Sequence, residues 1–121
     1  MIAKVLVAIV GVSDVLAGAA LLLAPQWFFD NIGTFPPYSR HYLGDAGAFL
    51  LPVGIALLVA ATNPRRHYSL VLVGLGVSVL HFLAHLYGSV RFNESWLQTV
   101  EVGIIALGIA VAAGIARPEP A

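Results

Sequence analysis

Cysteine is absent from the 121 residues, which removes disulfides, thiolate metal sites and a cysteine nucleophile together. Charge is scarce as well. Six acids and six bases make up 10% of the chain, where a soluble domain uses roughly a quarter to cover its surface. The formal net charge is zero, so no general basic field exists to hold phosphate or nucleic acid. No P-loop, GxGxxG fingerprint, HExxH motif or Ser-His-Asp arrangement occurs. These absences exclude a water-soluble enzyme, a nucleic-acid binder and a disordered chain. What fills the sequence is apolar: 60% of the residues, with a mean hydropathy of +0.92. The chain reads as an integral membrane protein.

A span needs about 20 mostly apolar residues, and four windows qualify: 2–24, 42–62, 64–88 and 96–116. Pro25 ends the first, because proline cannot continue the helical hydrogen bonding. That first run is too long for a signal-peptide core of about 7–15 residues, so it is read as a retained span. Asn63 and Pro64 are placed as N-cap and first residue of the third span. Ser95 and Gln98 fit the S-x-x-Q capping box at the start of the fourth. The expected fold is all-α: one transmembrane domain over residues 1–121, a four-helix bundle with antiparallel neighbours. The connection from Pro25 to His41 carries Trp27, Phe28, Phe29, Phe35 and Tyr38 among prolines and polar residues. Aromatic rings with a polar edge belong at the headgroup level, so this segment is expected to lie in the interface over one end of the bundle.

Lys4, Arg65, Arg66 and Arg117 fall on one side of the four spans, Arg40 and Arg91 on the other. The positive-inside rule then favours both termini in the cytoplasm. No half of the chain repeats the other, which speaks against an inverted-repeat transporter.

An ionisable side chain inside a span costs about 2.5–3.5 kcal/mol at the helix centre, so each one asks for a reason. The first span holds Asp14, the second Asp45, the third His81 and His85, and the fourth Glu101. On the expected boundaries, Asp45 and His85 lie about 5 Å below the outer end, Glu101 about 7 Å, His81 about 10 Å and Asp14 about 15 Å. All five occupy the outer half. His81 and His85 are one turn apart and share a face. Asp14 lies between Gly11 and Gly18 on a stripe of small residues of the kind that marks helix contact. The spacings Gly44/Gly47 and Gly103/Gly108 read as further packing surfaces. Plainer roles stand beside these. Asp45 and Glu101 sit in early turns, where the helix dipole favours an anion. A histidine in a span often only hydrogen-bonds a second helix. His67, beside two arginines, reads as solvated, and His41, four residues before Asp45, reads as a cover for the polar cluster.

Histidine with carboxylates serves proton transfer near neutral pH, and imidazole with carboxylate also ligates metals such as Zn²⁺. Asp14, Asp45, His81, His85 and Glu101 are therefore the candidate catalytic residues, and His81 and His85 the candidate metal ligands. A bis-histidine haem is not expected, because both histidines share one helix and its second ligand would have to be His41.

The four-span layout, the aromatic connection after the first span and the glycine-flanked acid in Tyr42-Leu43-Gly44-Asp45-Ala46-Gly47 resemble the DoxX-like group of small bacterial membrane proteins. That resemblance implies a role linked to quinone or sulfur redox chemistry, often as a partner subunit. The placing of histidines and acids within a bundle also resembles, more distantly, the four-helix-core sterol isomerases. The leading expectation is a polar site in the outer half that takes a small ligand, proton or metal. Lipid and a small apolar ligand or quinone are the expected partners. Two alternatives are carried: an accessory subunit without chemistry of its own, and a homo-oligomeric proton-coupled exporter or channel that uses Asp14.

Overall fold

A computed structural model describes residues 1–120. The chain forms five helices in order: α1 (Ile2–Leu23), α2 (Pro25–Asn31), α3 (Arg40–Thr62), α4 (Tyr68–Phe92) and α5 (Trp96–Ala116). No strand occurs among the described residues. Helices α1, α3, α4 and α5 are each long and apolar enough to cross a membrane. The molecule is an all-helical bundle of the integral membrane class.

Local chemistry sets most of the boundaries. Pro25 stops α1 and opens α2, where its missing N–H costs nothing in the first turn. The Ser39 hydroxyl accepts from the Tyr42 N–H at 3.3 Å and caps α3 two residues ahead of the expected start. Pro52 sits inside α3 without ending it. The third span differs by a full turn from the expected 64–88: Pro64 to His67 forms a turn, and α4 begins at Tyr68 and runs on to Phe92. Asn63 does act as a cap, but of this turn, its side-chain oxygen accepting from the Arg66 N–H at 3.2 Å. The reason is geometric. Antiparallel helices packed about 8–10 Å apart cannot be joined through a single residue. At its far end α4 passes through Gly88 and stops at Asn93, which takes the left-handed conformation (φ 54°, ψ 39°) that asparagine tolerates.

The helices pack as two antiparallel pairs. α1 lies most extensively on α3, and α4 on α5, with sparser contact between the pairs. Gly11 and Gly18 of α1 face Gly54 and Gly47 of α3 so closely that a Cβ on Gly47 would lie 2.7 Å from the Gly18 carbonyl oxygen. The seam is backbone against backbone, as small-residue stripes allow in lipid. Of the other expected packing glycines, Gly103 meets Phe82, whereas Gly44 and Gly108 face open space.

Between the pairs, the core gathers at the end that holds both termini. Val7, Val10, Leu57, Val71 and Ile109 are buried there among Ala60, Ala112, Ala113 and Ala116. Leu57 fills the notch left by Gly74, where a Cβ would meet its side chain at 2.5 Å. That half is closed. The other half, under α2 and the α4–α5 turn, is not filled.

Candidate functional site

The unfilled half encloses a cavity of about 510 Å³. Its walls come from every long helix. α1 contributes Ala17 and Leu21, and α3 contributes Ala46, Phe49, Leu50 and Val53. α4 supplies Val77, His81 and His85, and α5 supplies Gln98, Glu101 and Val102. The aromatic connection folds inward as a roof, bringing Phe28, Ile32, Gly33 and Phe35 to the lining. Gly33 is buried against the Phe28 ring, whose edge a Cβ would approach to 2.8 Å. The polar side chains all stand on α4 and α5, opposite an apolar wall from α1 and α3.

His81 and His85 have their Nε2 atoms 3.1 Å apart, so one ring donates and the other accepts. Because α4 runs to Phe92, they lie about 16 Å and 10 Å from its end, roughly a turn deeper than expected. Neither is enclosed in the core: His81 is exposed and His85 half-buried. The His85 ring meets Phe35 edge-on, centroids 5.6 Å apart, which joins roof to wall. Its backbone is anchored from α5. Thr99, buried, donates its hydroxyl within reach of the His85 carbonyl (3.2 Å) and lies 2.7 Å from the buried Ser89 hydroxyl.

Gln98, read from the sequence as a cap and as sharing the Glu101 face of its helix, is a lining residue. Its N–H is capped by the Ser95 hydroxyl at 3.4 Å, but its side chain does not close the box. Instead the side-chain amide donates to the Ile32 carbonyl at 2.8 Å, tying α5 to the roof. Its other amide atom, Oε1, is buried without a hydrogen-bond partner among the described residues. The inward fold of Phe28 and Phe35, and Phe49 on α3, were missed. Interfacial aromatics are legible as such, but nothing in their spacing shows that they cover a cavity.

Of the five expected site residues, His81, His85 and Glu101 line this cavity and Asp14 and Asp45 do not. Asp45 is on the exposed side of α3, where it pairs with His41 at 3.3 Å. Asp14 is 8% exposed, on the stripe between Gly11 and Gly18 that packs on α3, and forms no hydrogen bond or ion pair among the described residues. His67 is half-buried at the start of α4. As for a metal, no three His, Cys, Asp or Glu side chains come together in ligating geometry among the described residues. His81 and His85 are held as a hydrogen-bonded pair.

Fold and composition define the class, an integral membrane helical bundle. Set beside protein-family models, curated proteins and solved structures, the chain matches none.

Proposed function

We propose that the protein binds a small, largely apolar molecule in the cavity of its open half, with His81, His85 and Glu101 contacting the polar end of that molecule. The observation that carries this reading is the cavity itself: about 510 Å³, apolar on most walls, with its polar side chains confined to α4 and α5. Ligand sites have this make-up, and volumes of about 300–1,000 Å³ are usual. The histidine pair suits recognition, since a neutral pair offers one ring N–H and one ring lone pair beyond the bond it makes internally. A quinone ring, flat and apolar with oxygens at its edge, belongs to the class that fits, and the resemblance to DoxX-like proteins points the same way. Proton exchange between such a ligand and the pair is the chemistry the site would support. The excess of Lys and Arg near the closed end favours both termini in the cytoplasm, and the resemblance to DoxX-like proteins makes a bacterial inner membrane the location that goes with this reading.

The test is a titration of the bilayer-embedded protein with benzyl alcohol, an apolar ring with one polar group, followed through the ¹⁵N resonances of the four histidines. His81 and His85 are expected to shift saturably while His41 and His67 serve as internal controls. Ala46→Phe or Val77→Phe, which fill the cavity, should abolish the response. Equal shifts at all four histidines, or none, would overturn the reading.

A further inference from the structure

The cavity is not sealed from the membrane. Its α1 wall is covered, Ala17 half-buried and Leu21 buried, whereas residues of the α3 and α4 walls and Glu101 of α5 are exposed; α4 and α5 pack closely on one another, so the opening falls between α3 and α4. Phe49 is 79% exposed, and Ala46 and His81 are exposed as well. α3 and α4 belong to different pairs and meet where Leu57 enters the Gly74 notch, toward the closed end. Phe49 lies about 13 Å along α3 and His81 about 16 Å along α4 from the open end, depths well inside a hydrocarbon layer about 30 Å thick. In a bilayer that spans these helices, an exposed polar side chain at that depth borders the hydrocarbon layer. Such a position needs a reason.

The charge of the lining narrows what the gap admits. Among the described residues no lysine or arginine lines the cavity, while Glu101 contributes a carboxyl group. A phosphate head would find no ammonium or guanidinium to pair with there, and leaving a charge unpaired in a low-dielectric site is costly. Uncharged hydroxyl or carbonyl groups meet a matched set of donors and acceptors in the two imidazoles and Glu101.

From the open α3–α4 wall and the missing cations, we infer that the natural ligand is a neutral lipid: its uncharged head enters the cavity through the α3–α4 gap, and its tail remains among the acyl chains. This rests on the ligand-cavity reading above and adds the route, the tail and the exclusion of phosphate heads.

The experiment uses the full chain in phosphatidylcholine nanodiscs with a photoreactive hexadecanol that carries its diazirine near the hydroxyl. Labelled peptides are mapped with and without excess hexadecanol or hexadecyl phosphate, and benzyl alcohol is titrated into a parallel sample. Saturable labelling on α3 around Phe49 and on α4 around Val77 is expected, competed by hexadecanol and not by hexadecyl phosphate, and lost in both Ala46→Phe and Val77→Phe. Equal competition by the phosphate would overturn the neutral-head assignment. If benzyl alcohol still shifts His81 and His85 but labelling spreads without saturation over the outer faces of all helices, including Ile104 and Leu107 of α5, the tailed ligand and its route are overturned while the cavity reading survives. Absence of both responses overturns the two together.

Discussion

Nε2 of His81 and Nε2 of His85 lie 3.1 Å apart on successive turns of α4, so the bond between them joins no two helices. A structural histidine in a membrane bundle works by bonding across to a neighbour, and this contact does not. Replacing either residue by alanine should therefore lower stability by less than about 1 kcal/mol, within the range of a single membrane hydrogen bond, while removing the response to benzyl alcohol. Thermal unfolding in detergent and the ligand titration, made on the same variants, check both halves.

The α1–α3 seam sets a sharp contrast among glycines. A Cβ at Gly47 would meet the Gly18 carbonyl at 2.7 Å and one at Gly54 the Val15 nitrogen at 2.6 Å, whereas Gly76 and Gly108 have nothing within 4 Å. Gly47→Ala and Gly54→Ala should each cost about 1–3 kcal/mol through overpacking against backbone that cannot yield. Gly76→Ala and Gly108→Ala should be neutral or gain up to about 1 kcal/mol from helix propensity. Melting temperatures of the four variants decide it.

Gln98→Leu removes the bond from α5 to the Ile32 carbonyl and with it the tether on the roof. The expected result is faster proteolytic cleavage within residues 32–38, with helical content unchanged. Cleavage at the wild-type rate would show that the Phe35–His85 contact holds the roof alone.

Asp14 is buried against α3 and bonds to neither histidine. Asp14→Asn should leave the benzyl alcohol response of His81 and His85 intact. Loss of the response on that change would place Asp14 in the site after all and revive a proton path through α1.

Four spans were legible because length and apolar content alone determine them, and because Pro25 and Ser95 mark their ends by local chemistry. Asp45 shows what was not. It stands two residues, about 200° around the helix, from Gly47, and only the packing of Gly47 on α1 reveals that Asp45 points away from the other helices. The one-turn displacement of α4 was hidden for a similar reason, since Asn63-Pro64 signals a helix start equally well for a turn and for a span. The cavity depends on two tightly paired hairpins that meet fully at one end only. That is a property of the glycine seam and the Leu57–Gly74 fit together, and no single segment carries it.

The most direct measurement of the central claim is a dipolar-recoupling distance between the ¹³C-labelled methylene carbon of benzyl alcohol and the ¹⁵N-labelled histidine rings of the protein in bilayers. Contact within about 4.5 Å of a ring nitrogen of His81 or His85, and none to His41 or His67, is the expected result. Dephasing absent at His81 and His85 under conditions where the alcohol saturates the membrane would contradict a ligand cavity at this site.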